Sequence, residues 1–119
     1  MFNSRNLLVV LSMVGAFMLG ASAIAFADAP NHLVDSHGMT VYVYDVDQPG
    51  VSNCYDGCAR AWPPVPAVAA PQAPYSIITR KDGSTQLAYD NRPLYTYVGD
   101  SQPGDTTGDG LGGVWHIVP

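Results

Sequence analysis

Tyr42-Val43-Tyr44-Asp45-Val46-Asp47 and Tyr95-Thr96-Tyr97-Val98-Gly99-Asp100 are the two stretches that decide the fold. Each reads Tyr-x-Tyr-x-x-Asp, and one gapless shift of 53 residues carries the first onto the second. The same shift carries Asp56-Gly57 onto Asp109-Gly110, Trp62 onto Trp115 and Pro66 onto Pro119. Both tryptophans of the chain are matched in a single register, so the sequence is read as a tandem duplication of roughly 50-residue units.

In a strand alternate residues share a face. Tyr42 and Tyr44 therefore point one way and Val41 and Val43 the other, and Tyr95 and Tyr97 stand likewise against Leu94, Thr96 and Val98. The aliphatic face is expected to be buried. The phenols are expected to pack under the Trp of their own copy, with Asp47 and Asp100 fixing the turns that follow, where Asp bonds its own backbone readily. A direct ligand role for the phenol face is the competing reading.

Strand and turn signals extend outward from these motifs. In the second copy they give strands at 75–80, 84–89 and 94–98, joined by Lys81-Asp82-Gly83 and Asp90-Asn91, with a last strand at 115–118. In the first copy, residues 32–35 and 39–44 form the matching hairpin around Ser36-His37-Gly38. Trp62-Pro63-Pro64-Val65-Pro66 is excluded as a central strand, because proline lacks the ladder donor. The expected fold is all-β: two small antiparallel meanders, residues 28–66 and 75–119, joined by an Ala/Pro linker at 67–74 and packed through their aliphatic faces as one pseudo-twofold domain.

Composition sets the address and excludes several partners. Ten acidic groups, all Asp, oppose five basic ones, with a single lysine and no Glu. Helical bundles lack support in such a composition, and no basic stripe exists to neutralise a run of phosphates, which excludes nucleic acid. Arg5, an uncharged stretch over 7–27 and Ala25-Phe26-Ala27 before Asp28 read as a secretory signal peptide covering residues 1–27. Its competitor is an uncleaved membrane anchor, since about 20 apolar residues span a bilayer. Cleavage leaves 92 residues, a net charge of −6, no Phe and no membrane span. A domain of that size gains from a staple.

Cys54 and Cys58 are the candidates for that staple, because an exported protein meets an oxidising compartment. A redox-active or metal-binding dithiol, completed by His37 or His32, stays open beside it. The Cys-x-x-x-Cys spacing differs from that of oxidoreductases and covalent haem sites. Asp105 and Asp109 in the glycine-rich loop 104–110 form, with His37, a weak candidate metal set, although the calcium-binding spacing of an EF-hand is missing. His116 reads as a surface or hydrogen-bonded residue. Asp45 and Asp47 share a face, yet no nucleophile elbow, zinc-protease helix or phosphate loop accompanies them. The chain is read as a non-enzyme without a cofactor.

The motif pair, together with Cys54-Tyr55-Asp56-Gly57-Cys58-Ala59, Trp62-Pro63-Pro64, Gln86, Pro93-Leu94-Tyr95, Pro103-Gly104-Asp105 and Gly113-Val114-Trp115-His116, resembles the bacterial secreted-repeat lipoproteins with a Tyr-x-(Phe/Trp/Tyr)-x-x-Asp motif. The resemblance covers essentially the whole chain after residue 27, and it implies a cell-envelope protein of unknown activity. The lipidated cysteine of that pattern is not matched, the first Cys being Cys54. The sequence thus points to an exported, periplasmic or secreted binding or structural module whose partner is an envelope protein, a glycan or a small ligand. The alternative is a periplasmic redox or metal-handling accessory using Cys54, Cys58 and a His.

Overall fold

The structure, a computed structural model, describes residues 31–119; the signal-peptide assignment of residues 1–27 lies outside the described residues. Strand β1 (Tyr42–Tyr44) is followed by a short helix α1 (Gly57–Ala61), strands β2 (Tyr75–Thr79), β3 (Thr85–Tyr89) and β4 (Arg92–Pro93), a 3-10 turn at Leu111–Gly113, and β5 (Trp115–Ile117). β1 pairs antiparallel with β5, placing Tyr44 opposite Trp115 and Tyr42 opposite Ile117. β2, β3 and β4 form a separate antiparallel meander. The hairpin between β3 and β4 turns on Asp90 and Asn91, both at positive φ (53° and 64°), the conformation a two-residue turn requires of its central pair.

Tyr42 and Tyr95, equivalent under the 53-residue shift, join the two sheets. The Tyr42 amide donates to the Tyr95 carbonyl at 2.7 Å, and the Tyr95 amide donates to the Tyr42 carbonyl at 3.0 Å. Tyr95 also bridges to Pro64 on its other side. The proline-rich segment, excluded as a central strand, forms no strand and lies in extended pairing through a single bridge at Pro64. Its prolines sit where no donor is needed: the Thr96 amide donates to the Pro63 carbonyl at 2.9 Å, and the amide of Val65, between two prolines, donates to the Leu94 carbonyl at 2.9 Å.

The two copies are less alike than the meander expectation. The first-copy hairpin reduces to one Val34–Thr40 bridge and β1 alone, while Leu33 donates to the Val118 carbonyl at 2.8 Å. The expected strand at 94–98 is replaced by β4 and the Tyr95 bridges, because Tyr95 takes partners from two different segments. Helix α1 was not anticipated, since five residues carry no helical period. Its counterpart under the shift is the 3-10 turn, and each of these single turns delivers the tryptophan that follows it.

Both faces of β1 are packed, the aliphatic one as expected and the phenol one against tryptophan, in keeping with the packing reading of the tyrosines. Val41 and Val43 pack with Val65 and Leu94. Tyr42 joins Cys54, Trp62, Tyr95 and Trp115 in a second cluster on the opposite side. Apolar burial of both kinds holds the copies together, each large side chain contributing on the order of 1.5–3 kcal/mol.

Candidate functional site

The motif residues converge on the aromatic cluster, and they do so crosswise. Tyr42 Oη of the first copy donates to Asp100 Oδ2 of the second at 2.7 Å. Tyr95 Oη of the second copy donates to Asp47 Oδ2 of the first at 2.8 Å. The other oxygen of each carboxylate stays at home: Asp47 Oδ1 accepts the Asn53 amide at 2.7 Å and Asp100 Oδ1 accepts the Thr107 amide at 2.9 Å. The Asp thus anchors its own loop, as the sequence predicts, and also receives the phenol of the other copy, which the sequence does not reveal.

Tyr44, Trp115, Trp62 and Tyr97 stack face to face in a column, with centroid spacings of 4.1, 3.8 and 4.2 Å. Members from the two copies alternate along it, and the two indoles are inclined by only 2°. The buried phenols Tyr42 and Tyr95 stand edge-on to Trp62 and Trp115 at 5.2 and 5.3 Å. Stacked and edge-to-face pairs of this kind each add about 0.5–1.5 kcal/mol beyond area burial. Space against Trp62 is tight: a Cβ on Gly108 would lie 2.6 Å from Trp62 Cη2 and 3.1 Å from Tyr42 Cζ. Only glycine fits there.

Burial shapes the electrostatics. Desolvation, then the adjoining carboxylate, pushes both buried phenols well above their ordinary value of 10.0, so they remain neutral donors. Desolvation also raises the Asp47 carboxyl, against the opposing pull of the Asn53 amide, the Tyr95 hydroxyl and the Arg80 charge.

Arg80 is buried beside this pair. Its guanidinium donates to Ser52 Oγ at 2.9 Å, Gln86 Oε1 at 2.8 Å and the Cys54 carbonyl at 2.6 Å, and it lies 4.3 Å from the centre of the Tyr55 ring. Ser52 Oγ is 2.6 Å from Tyr95 Oη. Because the single phenolic proton goes to Asp47, the serine hydroxyl donates to the phenol oxygen. Sequence reading missed Arg80, Ser52 and Gly108, and met Gln86 only among the residues of the family resemblance. A buried Gln inside a strand was the one signal that could have pointed to this network, since buried polar side chains need partners.

The remaining candidates are dispersed. The sulfurs of Cys54 and Cys58 lie at disulfide distance, 2.07 Å, and Cys54 is buried in the aromatic cluster. Asp105 accepts the Ser101 and Gln102 amides, which hold its carboxyl below the ordinary range. Asp109 accepts the Ile117 amide, and the backbone of exposed His37 bonds Asp35. Among the described residues no three His, Cys, Asp or Glu side chains gather as a metal site, so Asp105, Asp109 and His37 do not form one set. His32 contacts the Thr40 hydroxyl at 3.0 Å. Asp45 parts company with Asp47: it meets His116 Nε2 at 2.7 Å and the Arg92 guanidinium at 3.7 Å.

Among the described residues, clefts open at two places on the surface that bear on binding. One of about 410 Å³ is lined by Val34, Val65, Pro66, Val68, Tyr75 and Leu87, with Asp35 and His37 also on its wall. A smaller one of about 200 Å³ lies between Tyr44, Asp47, Pro49 and the Asp90–Pro93 hairpin. No described helix is long and apolar enough to cross a membrane.

A family model described as a secreted repeat of unknown function matches residues 28–66 and, a second time, residues 76–119. No curated protein and no solved structure matches. With both copies matched and most of the chain covered, this protein belongs to that family of secreted repeats of unknown function.

Proposed function

We propose that this chain is an exported, non-catalytic binding module that works in the periplasm or outside the cell once residues 1–27 are removed as a signal peptide. In this reading residues 67–74 link the copies, and Tyr42, Tyr44, Asp47, Tyr95, Tyr97, Asp100, Trp62 and Trp115 build the join between them. The Cys54–Cys58 pair serves as a staple beside that join. The motif phenols are spent on the interior, so recognition falls to the larger cleft. The observation that carries this is the cleft itself: about 410 Å³ of mainly apolar wall in a small acidic domain, within the size range of small-ligand sites. Its proline, valine and tyrosine lining suits an uncharged planar or apolar ligand, and Asp35 disfavours an anion.

Titration with neutral 1-aminoanthracene, read by its fluorescence, tests the proposal on wild type and Val68→Arg. Val68 is half exposed on the cleft wall, so the charge enters without disturbing the core. Saturable binding in wild type that is lost in the variant supports the cleft. Equal binding in both, or none in wild type, removes it as the recognition site.

A further inference from the structure

Packing alone does not call for the crossed carboxylates. Phenylalanine at positions 42 and 95 would fill the same volume, and holding a half-buried Asp47 and a buried Asp100 beside an aromatic cluster carries a desolvation cost. What the carboxylates add is a base on each phenolic proton, at 2.7 Å for Tyr42 and 2.8 Å for Tyr95. That arrangement lowers the barrier to removing an electron from a phenol, since the proton leaves with it. Each such phenol also stands edge-on to an indole within a continuous four-ring column. The column's end rings, Tyr44 and Tyr97, are only partly buried, whereas Tyr42 and Tyr95 are fully enclosed.

We propose that the column and its two carboxylate-bound tyrosines form a one-electron relay, which takes an oxidising equivalent at a partly exposed ring and stores it on an enclosed tyrosine. A strong one-electron oxidant of the carbonate-radical class draws an electron from the indole column across the partly exposed Tyr44 or Tyr97 ring, whose own phenolic O–H stays intact, and is itself reduced to the carbonate anion. Trp62 or Trp115 carries the vacancy inward along the stack. Tyr42 or Tyr95 fills it: the phenolic O–H bond breaks, the electron passes to the indole, and the proton moves to Asp100 Oδ2 or Asp47 Oδ2. The products are a neutral phenoxyl radical and a carboxylic acid. A small one-electron reductant of the ascorbate class restores the phenol, with the same proton returning from the carboxyl group. This activity is independent of the larger cleft, and its residues lie outside that cleft's lining.

Laser-flash oxidation of the whole chain with tris(bipyridine)ruthenium(III), followed by transient absorption and electron paramagnetic resonance, provides the test. In wild type a tryptophan radical should form first and decay into a hydrogen-bonded neutral phenoxyl. Tyr42→Phe combined with Tyr95→Phe should abolish most of the phenoxyl yield and prolong the tryptophan radical. Asp47→Asn combined with Asp100→Asn should slow that decay and diminish its solvent deuterium isotope effect, a readout that a purely structural role would leave alone. An undiminished phenoxyl yield in the double phenylalanine variant would place the radical on surface tyrosines and overturn the relay. Should either variant fail to fold, high-field resonance of the wild-type radical decides: a phenoxyl without a hydrogen bond contradicts the proposal.

Discussion

The two Tyr–Asp crossings use the same motif and close it by different means. Around Tyr95 and Asp47 the closure is made of side chains: Ser52 bonds the phenol, and Arg80 holds Ser52, Gln86 and the Cys54 carbonyl together. Around Tyr42 and Asp100 it relies on backbone and one threonine: the Gly108 amide donates to Tyr42 Oη at 3.2 Å, and Thr107 donates from both amide and hydroxyl to Asp100 Oδ1. The duplication therefore preserved the reciprocal bonds while the supports diverged. One crossing depends on a buried cation whose bonds all run to neutral acceptors, and the other on a glycine that lets a loop approach an indole.

Emptying the shared part should affect both crossings most. Trp62→Ala is expected to cost about 3–5 kcal/mol, the range for vacating a buried aromatic site, and Trp115→Ala a similar amount. Chemical denaturation reads this directly, and an unchanged midpoint in either would remove that ring from the core. Next comes the side-chain-supported crossing. Arg80→Met should cost about 3 kcal/mol, because Ser52, Gln86 and the Cys54 carbonyl lose a charged donor together. The backbone-supported crossing should respond instead to Gly108→Ala, by about 1–3 kcal/mol of overpacking against Trp62. Equal sensitivity of both crossings to Arg80→Met would erase the distinction between them.

Alkaline titration gives the smallest and most graded contrast. Burial, followed by the neighbouring carboxylate, holds both phenols above 10.0 in the folded chain, so the unfolded chain ionises first. Stability is then complete below that value and falls as pH rises toward the folded-state value, by up to about 1.4 kcal/mol per pH unit for each tyrosine. Tyr42→Phe and Tyr95→Phe should each remove one share of this decline, as seen in denaturation midpoints across the alkaline range. A slope unaffected by both changes would mean that these phenols titrate as they do in the unfolded chain.

Much of this architecture was legible in the sequence. The period-two alternation placed Tyr42 and Tyr44 opposite Val41 and Val43, and the turn chemistry of Asp90-Asn91 located the second hairpin. The shift of 53 residues paired Trp62 with Trp115, although not face to face. What stayed hidden depended on distant partners. That Tyr44 and Tyr97 stack on the tryptophan of the other copy follows from two tryptophans arriving after separate single-turn helices, too short to carry a pattern. Arg80, beside Lys81-Asp82-Gly83, has the sequence surroundings of an exposed turn residue, yet its fate is set by Ser52 and Gln86. The motif also names the tyrosine and the aspartate without saying that each belongs to the other copy's partner.

That exchange of partners is most directly tested by double-mutant cycles on stability, using Tyr42→Phe with Asp100→Asn and Tyr95→Phe with Asp47→Asn. Coupling energies of about 0.5–3 kcal/mol are expected for these pairs, and values near zero for Tyr42 with Asp47 and for Tyr95 with Asp100. Coupling confined to the pairs within one copy would contradict the crossed join on which the structure rests.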